Sequence, residues 1–500
     1  MSAAPARRIA LALVSHTNVG KTTLARTLLG RDVGTVRDAP HVTEAAERFP
    51  LIDTAEGDAL ELWDTPGFGD SVRLARRLAQ RGNPLGWFLA QVWDRFRDRA
   101  FWSTQQAVCA TLDHADVVLY LANASERPQE AGYIGPEMQV LALIGRPVLV
   151  LLNQMGAPKP ANEEAAQVAL WQQHLGSFAC VSAVLPLDAF ARCWVQEIAL
   201  LDAVRKLLPA GKNESFARLA AHWQARREET FAHSMQVLAQ RLARAAADRE
   251  EVADAGLRGR LRELGVALGL AGGTEATPRQ AAMAALAERL DADIRASTDR
   301  LIGLHGLGGQ ARDDILNRLA EHYAVRERVS EGKAALLGGA LTGALAGLKA
   351  DLATGGLTFG GGLLVGGVLG ALGAAGLARG YNVIRGTEQT QIAWTDEVLD
   401  ELAASALLAY LAVAHYGRGR GDWTPSEHPA HWQEEVRAAL QKNDGALRSI
   451  WAQRAGDRAA GEQAAALEVE LTRAARAVLA RLYPQAELAR EPTTVAGPPD

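Results

Sequence analysis

One stretch near the N-terminus, Leu11–Leu24, constrains the fold more than any other part of this 500-residue sequence. An apolar run ends in a loop that closes on Gly20-Lys21-Thr22-Thr23, and a helix-forming run follows. The order strand, loop, helix is typical of a phosphate-binding loop, because successive backbone N–H groups and a helix N-terminus together form an anion site. The stretch therefore predicts a nucleotide-binding α/β domain.

The residues of this loop have separate chemical roles in the prediction. Gly20 allows the backbone to approach a phosphate closely, Lys21 would reach the β- and γ-phosphates, and the Thr22 hydroxyl would ligate magnesium. Ser15 stands where the usual pattern begins with glycine, so only one of the two pattern glycines is present. The predicted nucleotide-binding residues of the loop are Asn18, Val19, Gly20, Lys21, Thr22 and Thr23.

Composition excludes several functional classes. The net charge of −5 gives no argument for a nucleic-acid partner. The three cysteines do not show CxxC spacing, which fits a reducing compartment and argues against a metal cluster. The apolar run after Arg7 and Arg8 is short and leads directly into the loop, so we interpret it as a strand rather than a signal peptide. The predicted location is cytoplasmic.

Two further segments have the features of a nucleotide-sensing switch. Thr43, in a segment punctuated by Gly, Asp and Pro, is the candidate for sensing magnesium and the γ-phosphate, with Thr35 as the alternative. Asp64 and Gly67 belong to a DTPG sequence that ends an alternating strand. Asp64 would hold magnesium through water, and the Gly67 amide would meet the γ-phosphate. Lys21 and Thr43 are the predicted catalytic residues.

Strand and helix patterns alternate in the rest of the N-terminal region. Apolar strand patterns occur at residues 115–124, 147–153 and 178–182, with helical patterns between them. This alternation predicts a mostly parallel sheet whose ligand lies at the carboxyl ends of the strands. A helix over residues 190–208 is expected to close the domain, which we place at residues 1–210.

The motifs together resemble the Era/TrmE-like branch of small GTPases over about residues 8–208. The resemblance rests on the sequences TNVGKTTL and DTPG, on an asparagine at a strand end, and on Ser182-Ala183. The resemblance implies binding of GTP and its hydrolysis to GDP and phosphate. It assigns magnesium to Thr22, Thr43 and Asp64, and guanine support to Asn153, Gln154, Ser182 and Ala183. Asn18 matches a loop asparagine that ligates an activating potassium ion in some relatives. Phe68 stands where Ras-like relatives have a catalytic glutamine, as in hydrophobic-substituted GTPases.

One departure from the family pattern affects base recognition. The pattern Asn-Lys-x-Asp is replaced by Asn153-Gln154-Met155-Gly156. The missing Asp carboxylate would accept two N–H bonds from guanine, and such a buried pair sets specificity because the wrong base is left unpaired. GTP remains the expected nucleotide, with ATP or loose base specificity as the alternative.

A second departure is an insert at about residues 69–113, which is rich in aromatic residues. Its aromatic residues recur at helical spacing. One interpretation is a helical insert packed on its own domain; the other is an aromatic surface for self-association or an effector. The aromatic residues concerned are Trp87, Phe88, Trp93, Phe96, Phe101 and Trp102.

From Glu214 onward Ala, Arg, Glu and Leu dominate and predict an all-α region. Residues 334–378 differ, because their only charges are Lys349 and Asp351 and glycines recur every fourth residue. This spacing predicts a hairpin of two helices with a small-residue stripe. The hairpin would either enter a membrane, with Arg379 on the headgroup side, or lie between other helices. We divide the rest into residues 211–333 (helical), 379–483 (C-terminal helices) and 484–500 (flexible tail).

The predicted fold class is an α/β P-loop NTPase domain, with a mostly parallel sheet, followed by an all-α domain that contains a glycine-rich hydrophobic hairpin. The combination resembles bacterial GTPases with a C-terminal domain of unknown function, and more loosely the dynamin-like membrane GTPases. Three hypotheses follow: a slow GTPase switch at the inner membrane, a self-associating membrane-remodelling GTPase that binds lipid through residues 334–378, or a nucleotide-binding scaffold with little turnover.

Overall fold

The computed structural model describes residues 7–31, 33, 46–79, 82–90, 98–156, 158–189, 193–252, 278–307, 381–385, 390–416, 429–455 and 460–484. These residues form two compact units. The first contains the described residues of Met1–Glu229, Ala414–Pro429 and Leu479–Asp500, and the second contains those of Thr230–Val413 and Ala430–Val478.

A six-stranded sheet with the order β2-β3-β1-β4-β5-β6 forms the centre of the first unit. Its strands are β1 (Arg8–Ser15), β2 (Glu47–Asp53), β3 (Ala59–Asp64), β4 (Val117–Asn123), β5 (Val148–Asn153) and β6 (Val181–Pro186). All neighbouring strands are parallel except β2, which pairs antiparallel with β3. The predicted α/β fold with a mostly parallel sheet is confirmed.

Helices cover both faces of this sheet. They are α1 (Lys21–Leu29), α2 (Ser71–Leu78), α3 (Pro84–Ala90), α4 (Arg99–His114), α5 (Ile134–Ile144), α6 (Ala161–Leu175), α7 (Trp194–Leu207) and α8 (Ala210–Ala247). Alternate residues of β1 point into two separate cores: Ala12 and Val14 pack with α4, α5 and α6, whereas Leu11 and Leu13 pack with α1 and α7. Burial on both faces explains why β1, β4 and β5 are almost continuously apolar.

Helix α8 begins in the first unit and extends that unit past residue 210, where we expected it to end. The Lys212 amine lies 2.6 Å from an Asp116 carboxylate oxygen, and the Arg218 guanidinium lies 2.6 Å from Asp58. Phe216 also packs into the core beneath the sheet. These contacts explain why the first unit continues to Glu229.

The aromatic insert packs on its own domain. Phe88 and Phe101 are fully buried in the same core as Ala12. The guanidinium groups of Arg73 and Arg77 lie 4.1 and 5.0 Å from the centre of the Phe101 ring. Trp93 and Phe96 lie outside the described residues. The described contacts therefore favour the first interpretation of this insert.

The second unit is mainly helical, as predicted. Beyond α8 it contains α9 (Pro278–Leu304), α10 (Asp396–Ala414), α11 (Ala430–Lys442), α12 (Asp444–Ala452) and α13 (Ala460–Leu482), of which α8, α10 and α13 also reach into the first unit. It also contains a small antiparallel sheet, which the prediction of an all-α region missed. Its strands are β7 (Arg249–Glu251), β8 (Tyr381–Arg385) and β9 (Thr390–Trp394), in the order β7-β9-β8. These strands are only three to five residues long and lack a long alternating pattern.

Several predictions fall outside the described residues. They are the glycine-rich segment 334–378, the two threonines Thr35 and Thr43, and the tail after residue 484. None of the helices that the structure describes has both the length and the apolar character needed to cross a bilayer.

Candidate functional site

The loop between β1 and α1 has the backbone conformation of an anion cradle. Asn18 and Gly20 both adopt positive φ angles, 65° and 97°. A Cβ on Gly20 would lie 2.8 Å from the Asn153 amide nitrogen, so this position requires glycine for space as well as for conformation. Helix α1 begins at the next residue, Lys21. The first N–H groups of a helix have no partner within the helix, so the start of α1 can contribute to an anion site at the loop.

Lys21 is held at the base of the loop. Its side-chain amine donates a hydrogen bond to the Ser15 hydroxyl at 3.0 Å, and the residue is only 7% exposed. Burial lowers the pKa of Lys21, while the negative charges of Asp64 and Glu137 oppose that shift. Ser15, which replaces the first pattern glycine, therefore positions the Lys21 amine.

Thr22 and Asp64 meet as the magnesium prediction requires. The Thr22 hydroxyl donates a hydrogen bond of 2.6 Å to Oδ2 of Asp64. Oδ1 of Asp64 is buried and has no hydrogen-bond partner among the described residues. Burial raises the pKa of Asp64 to about 6, against the lowering effects of Thr22 and Lys21. A hydroxyl beside an orphaned carboxylate oxygen is an oxygen donor set of the kind that Mg²⁺ prefers, so the residues fit this ion.

The DTPG loop lies against the phosphate loop and is held from behind by helix α4. A Cβ on Gly67 would lie 3.0 Å from Thr17 and 3.2 Å from the Lys21 amine, so the two loops are in close approach. The Ser103 hydroxyl donates to the Gly67 carbonyl at 2.9 Å, and the Gly69 N–H donates to the Thr104 hydroxyl at 3.0 Å. Helix α4 therefore bonds the loop directly. The sequence analysis did not identify Ser103 or Thr104.

Asn153 joins the phosphate loop to the ends of β5 and β6. Its amide donates to the Val19 carbonyl at 2.6 Å, and its side-chain oxygen accepts from the Ala189 N–H at 2.7 Å. Asn153 is fully buried. The residues after it form an open turn, in which Gln154 and Gly156 adopt positive φ angles of 58° and 83°.

The prediction that Ser182 and Ala183 form the base-supporting loop is wrong in position. Both residues lie inside β6, and Ala183 pairs with Leu149 near the start of β5, away from the carboxyl ends of the strands. The loop that meets Asn153 contains Asp188 and Ala189 instead. The sequence analysis ended this strand at residue 182, whereas β6 continues to Pro186.

Glu137 is a second residue that the sequence analysis missed. It is fully buried on α5, where it binds Nδ1 of His16 at 2.7 Å and accepts the Tyr120 hydroxyl at 2.6 Å. The His16 ring also stacks on Tyr133, with 4.4 Å between ring centroids. Because His16 belongs to the phosphate loop, this network fixes the loop from the α5 side. Glu137 is the only charged residue of α5, and this was the available sequence signal.

We expect Asn153→Ala to destabilise the fold and weaken nucleotide binding together. The substitution leaves the Val19 carbonyl and the Ala189 N–H buried without their partner, at about 1–3 kcal/mol for each group. Denaturant unfolding and nucleotide affinity would measure the two effects.

Asn123→Ala is the matched control for this substitution. Asn123 pairs with Asn153 at the end of the neighbouring strand, but its side chain bonds within its own turn, where it donates to Glu126 and accepts from the Ser125 N–H. A loss of stability as large for Asn123→Ala as for Asn153→Ala would contradict a special role for Asn153.

These features define a P-loop nucleotide-binding domain, and comparison with known families specifies it further. Residues 10–154 match the family described as 50S ribosome-binding GTPase. The N-terminal domain is therefore similar to a GTPase domain over these residues. Residues 178–476 match a domain of unknown function, DUF3482. This match covers more than half of the chain, and the protein belongs to the DUF3482 family.

Among the solved structures with similarity to this chain are two of Era, and both are distant. A variant of Era from Aquifex aeolicus bound to GDP and AlF4⁻ is 19% identical, with a TM-score of 0.31 over 41% of this chain and 57% of that one. Era in complex with MgGDPNP and a segment of 16S ribosomal RNA is 18% identical, with a TM-score of 0.31 over 41% of this chain and 58% of that one. This chain therefore spans less than two thirds of the Era chains that it matches.

A third structure, of chloroplast translocon GTPase components, is 15% identical, with a TM-score of 0.23 over 38% of this chain and 72% of that one. Comparison with curated protein sequences gave no match.

Proposed function

We propose that this protein is a Mg²⁺-dependent GTPase switch whose nucleotide state passes from the DTPG loop to helix α4 and then to the helical region. The observation that carries the proposal is a pair of hydrogen bonds at the DTPG loop: Ser103 donates to the Gly67 carbonyl, and Thr104 accepts from the Gly69 N–H. A loop that changes position when a γ-phosphate binds or leaves would move the helix to which it is bonded.

The chemistry follows from the arrangement of four residues. Lys21 and the loop amides would stabilise charge that develops on the β- and γ-phosphates, and the Gly67 N–H would meet the γ-phosphate. Thr22 and Asp64 would hold Mg²⁺, which neutralises phosphate charge when bound. Thr43 remains our proposed catalytic threonine on sequence grounds.

Slow turnover is part of the proposal. Phe68 follows the DTPG sequence and is fully buried, with its N–H bonded to the Ser15 carbonyl at 2.9 Å. Its side chain cannot orient an attacking water molecule. A protein that hydrolyses GTP slowly keeps its GTP-bound state for long enough to act as a switch.

Hydrogen exchange tests the transmission step. With a non-hydrolysable GTP analogue in place of GDP, we expect altered exchange in α4 at residues 99–114 and in α9 at residues 278–304. Ser103→Ala should reduce the difference, since it removes the bond to the Gly67 carbonyl. Ser125→Ala, which removes a hydroxyl from an exposed turn, is the control. Identical exchange in both nucleotide states, with both nucleotides bound, would overturn the proposal.

We also propose that K⁺ accelerates hydrolysis through Asn18, which is exposed on the phosphate loop. The support is the resemblance of TNVGKTTL to potassium-activated relatives. GTPase rates in KCl and NaCl at equal ionic strength test this, and equal rates would reject it.

Membrane association through residues 334–378 is a second proposal, which rests on the glycine spacing and the scarcity of charge in this segment. A membrane-remodelling, self-associating GTPase would show turnover that rises with vesicles and with protein concentration. Sedimentation with anionic phospholipid vesicles tests the association, and a protein that stays in the supernatant with either nucleotide would exclude it.

A further inference from the structure

Recognition of guanine by a carboxylate requires an acidic residue, which the turn after β5 does not contain. The base presents two neighbouring donors, N1–H and the 2-amino group, which a single carboxylate can accept together. The turn consists of Asn153, Gln154, Met155 and Gly156 and contains no carboxylate. A Cβ on Gly156 would meet no atom within 4 Å, so this side of the turn has room.

The contacts of Asn153 indicate where the base of a bound nucleotide would lie relative to this turn. Its side chain bonds the phosphate loop through the Val19 carbonyl and the β6–α7 loop through the Ala189 N–H. Ligands of parallel α/β sheets bind beyond the carboxyl ends of the strands. A nucleotide whose phosphates occupy the phosphate loop would therefore extend its base over the ends of β5 and β6.

Asp188 places a carboxylate at this location. Its Oδ2 accepts a hydrogen bond from the Met155 N–H at 2.7 Å, and the residue is only 5% exposed. The backbone on both sides is fixed to β5, because the Leu187 N–H donates to the Leu152 carbonyl at 3.1 Å and the Ala189 N–H donates to Asn153. A carboxylate has about four acceptor sites, so Asp188 could accept two donors of a ligand alongside its contacts within the protein.

We infer that Asp188, on the β6–α7 loop, is the specificity-determining carboxylate that reads the N1–H and 2-amino groups of guanine in this protein. It approaches the base from the neighbouring loop and replaces the acceptor that the turn 153–156 lacks. The inference rests on the proposed nucleotide site and adds the residue that selects the base.

Diphosphates that differ only in the purine test the inference on the full-length protein with Mg²⁺. IDP lacks the 2-amino group, and XDP carries a carbonyl oxygen in its place. We expect the wild-type protein to bind GDP more tightly than IDP, XDP or ADP by roughly tenfold or more. Equal affinity for GDP and IDP, or a preference for ADP, would overturn the inference without any substitution.

Asp188→Asn should reverse the preference. The amide oxygen can still accept N1–H, but the amide NH₂ now faces the 2-amino group of GDP and can donate to the carbonyl of XDP. We expect the GDP-to-XDP affinity ratio to fall by roughly a hundredfold. Glu164→Gln, which removes the carboxylate of a neighbouring acid that bonds the Lys159 N–H, should leave the ratio unchanged. If Asp188→Asn lost affinity for all the diphosphates equally, the role of Asp188 would be purely structural and the inference would be overturned.

A rescue variant tests whether a carboxylate near the base sets the preference, and the wild-type comparison of GDP with IDP keeps the inference testable if Asp188→Asn folds poorly. Gly156→Asp in the Asp188→Asn background restores a carboxylate on the open side of the turn, and Asp tolerates positive φ better than most residues. Return of GDP preference would support the inference, and a GDP-to-XDP ratio unaffected by either carboxylate would overturn it. Failure of the wild-type protein to bind any of the diphosphates would refute the proposed nucleotide site itself.

Discussion

Lys21→Ala is expected to lower GTP turnover by at least about a hundredfold and to weaken GTP binding. The Lys21 amine lies at the base of the phosphate loop, 3.0 Å from the Ser15 hydroxyl and shielded from solvent. A cation in such a low-dielectric position interacts with phosphate charge more strongly than an exposed one. Single-turnover hydrolysis and GTP affinity, measured on purified wild-type and variant protein, would give both effects.

Lys206→Ala provides the matched control, because Lys206 is an exposed lysine in the last turn of α7. It removes the same charge from the same domain and should leave turnover within about twofold. Retention of a tenth or more of the wild-type rate by Lys21→Ala would contradict the assignment of the phosphate loop.

Asp64→Asn is expected to raise the Mg²⁺ concentration needed for half-maximal GTP turnover by roughly ten- to a hundredfold. The buried carboxylate accepts the Thr22 hydroxyl through one oxygen, and the other oxygen has no hydrogen-bond partner in the part of the chain that the structure describes. The amide keeps the shape of the side chain but removes its charge. A Mg²⁺ titration of GTPase activity measures the change.

The raised pKa of Asp64 also predicts how the free energy of unfolding of the nucleotide-free protein depends on pH. Burial raises its pKa from 3.8 to about 6, so the folded protein holds this proton more tightly than the unfolded chain does. The stabilising contribution of protonated Asp64 to the free energy of unfolding is complete below pH 4 and is lost as pH rises through about 6. The loss amounts to about 3 kcal/mol, at 1.36 kcal/mol for each pH unit of the shift.

Urea unfolding of wild-type protein and Asp64→Asn between pH 4 and 7 isolates this contribution. The variant should lack the decline attributed to Asp64, and Asp113→Asn, at an exposed position on α4, should retain it. Parallel pH profiles for wild-type protein and Asp64→Asn would disprove the pKa assignment.

The local motifs of the site could be predicted from sequence because each depends on a few adjacent residues. Gly20, Lys21 and Thr22 form one turn and the start of one helix, so their spacing along the chain fixes their spacing in space. Asp64 could be paired with Thr22 only through the general rule that parallel strands end at one edge of a sheet. The structure brings these two side chains to 2.6 Å.

Residues that depend on exact strand ends could not be predicted. An error of four residues in the end of β6 assigned the base-supporting role to Ser182 and Ala183 and missed Asp188. Propensity gave no reason to continue the strand through Leu185 and Pro186, because proline is unusual in strands. In the folded sheet, the backbone pairing of Leu152 with Pro186 extends β6 to residue 186.

Contacts between segments that are far apart along the chain also could not be predicted from sequence. Ser103 and Thr104 are ordinary helix residues until α4 packs against the DTPG loop. Strand β7 has three polar residues and forms only because β9, about 140 residues later along the chain, provides hydrogen-bonding partners.

The assignment of residues 479–484 to the first unit has a consequence for biosynthesis. Leu482 and Tyr483 line an apolar cleft together with Val168 of α6, Leu185 of β6 and Leu200 of α7. The ribosome completes α6, β6 and α7 nearly three hundred residues before these two side chains emerge. During translation the nascent N-terminal domain therefore exposes an apolar cleft that stays uncovered until the end of α13 is synthesised.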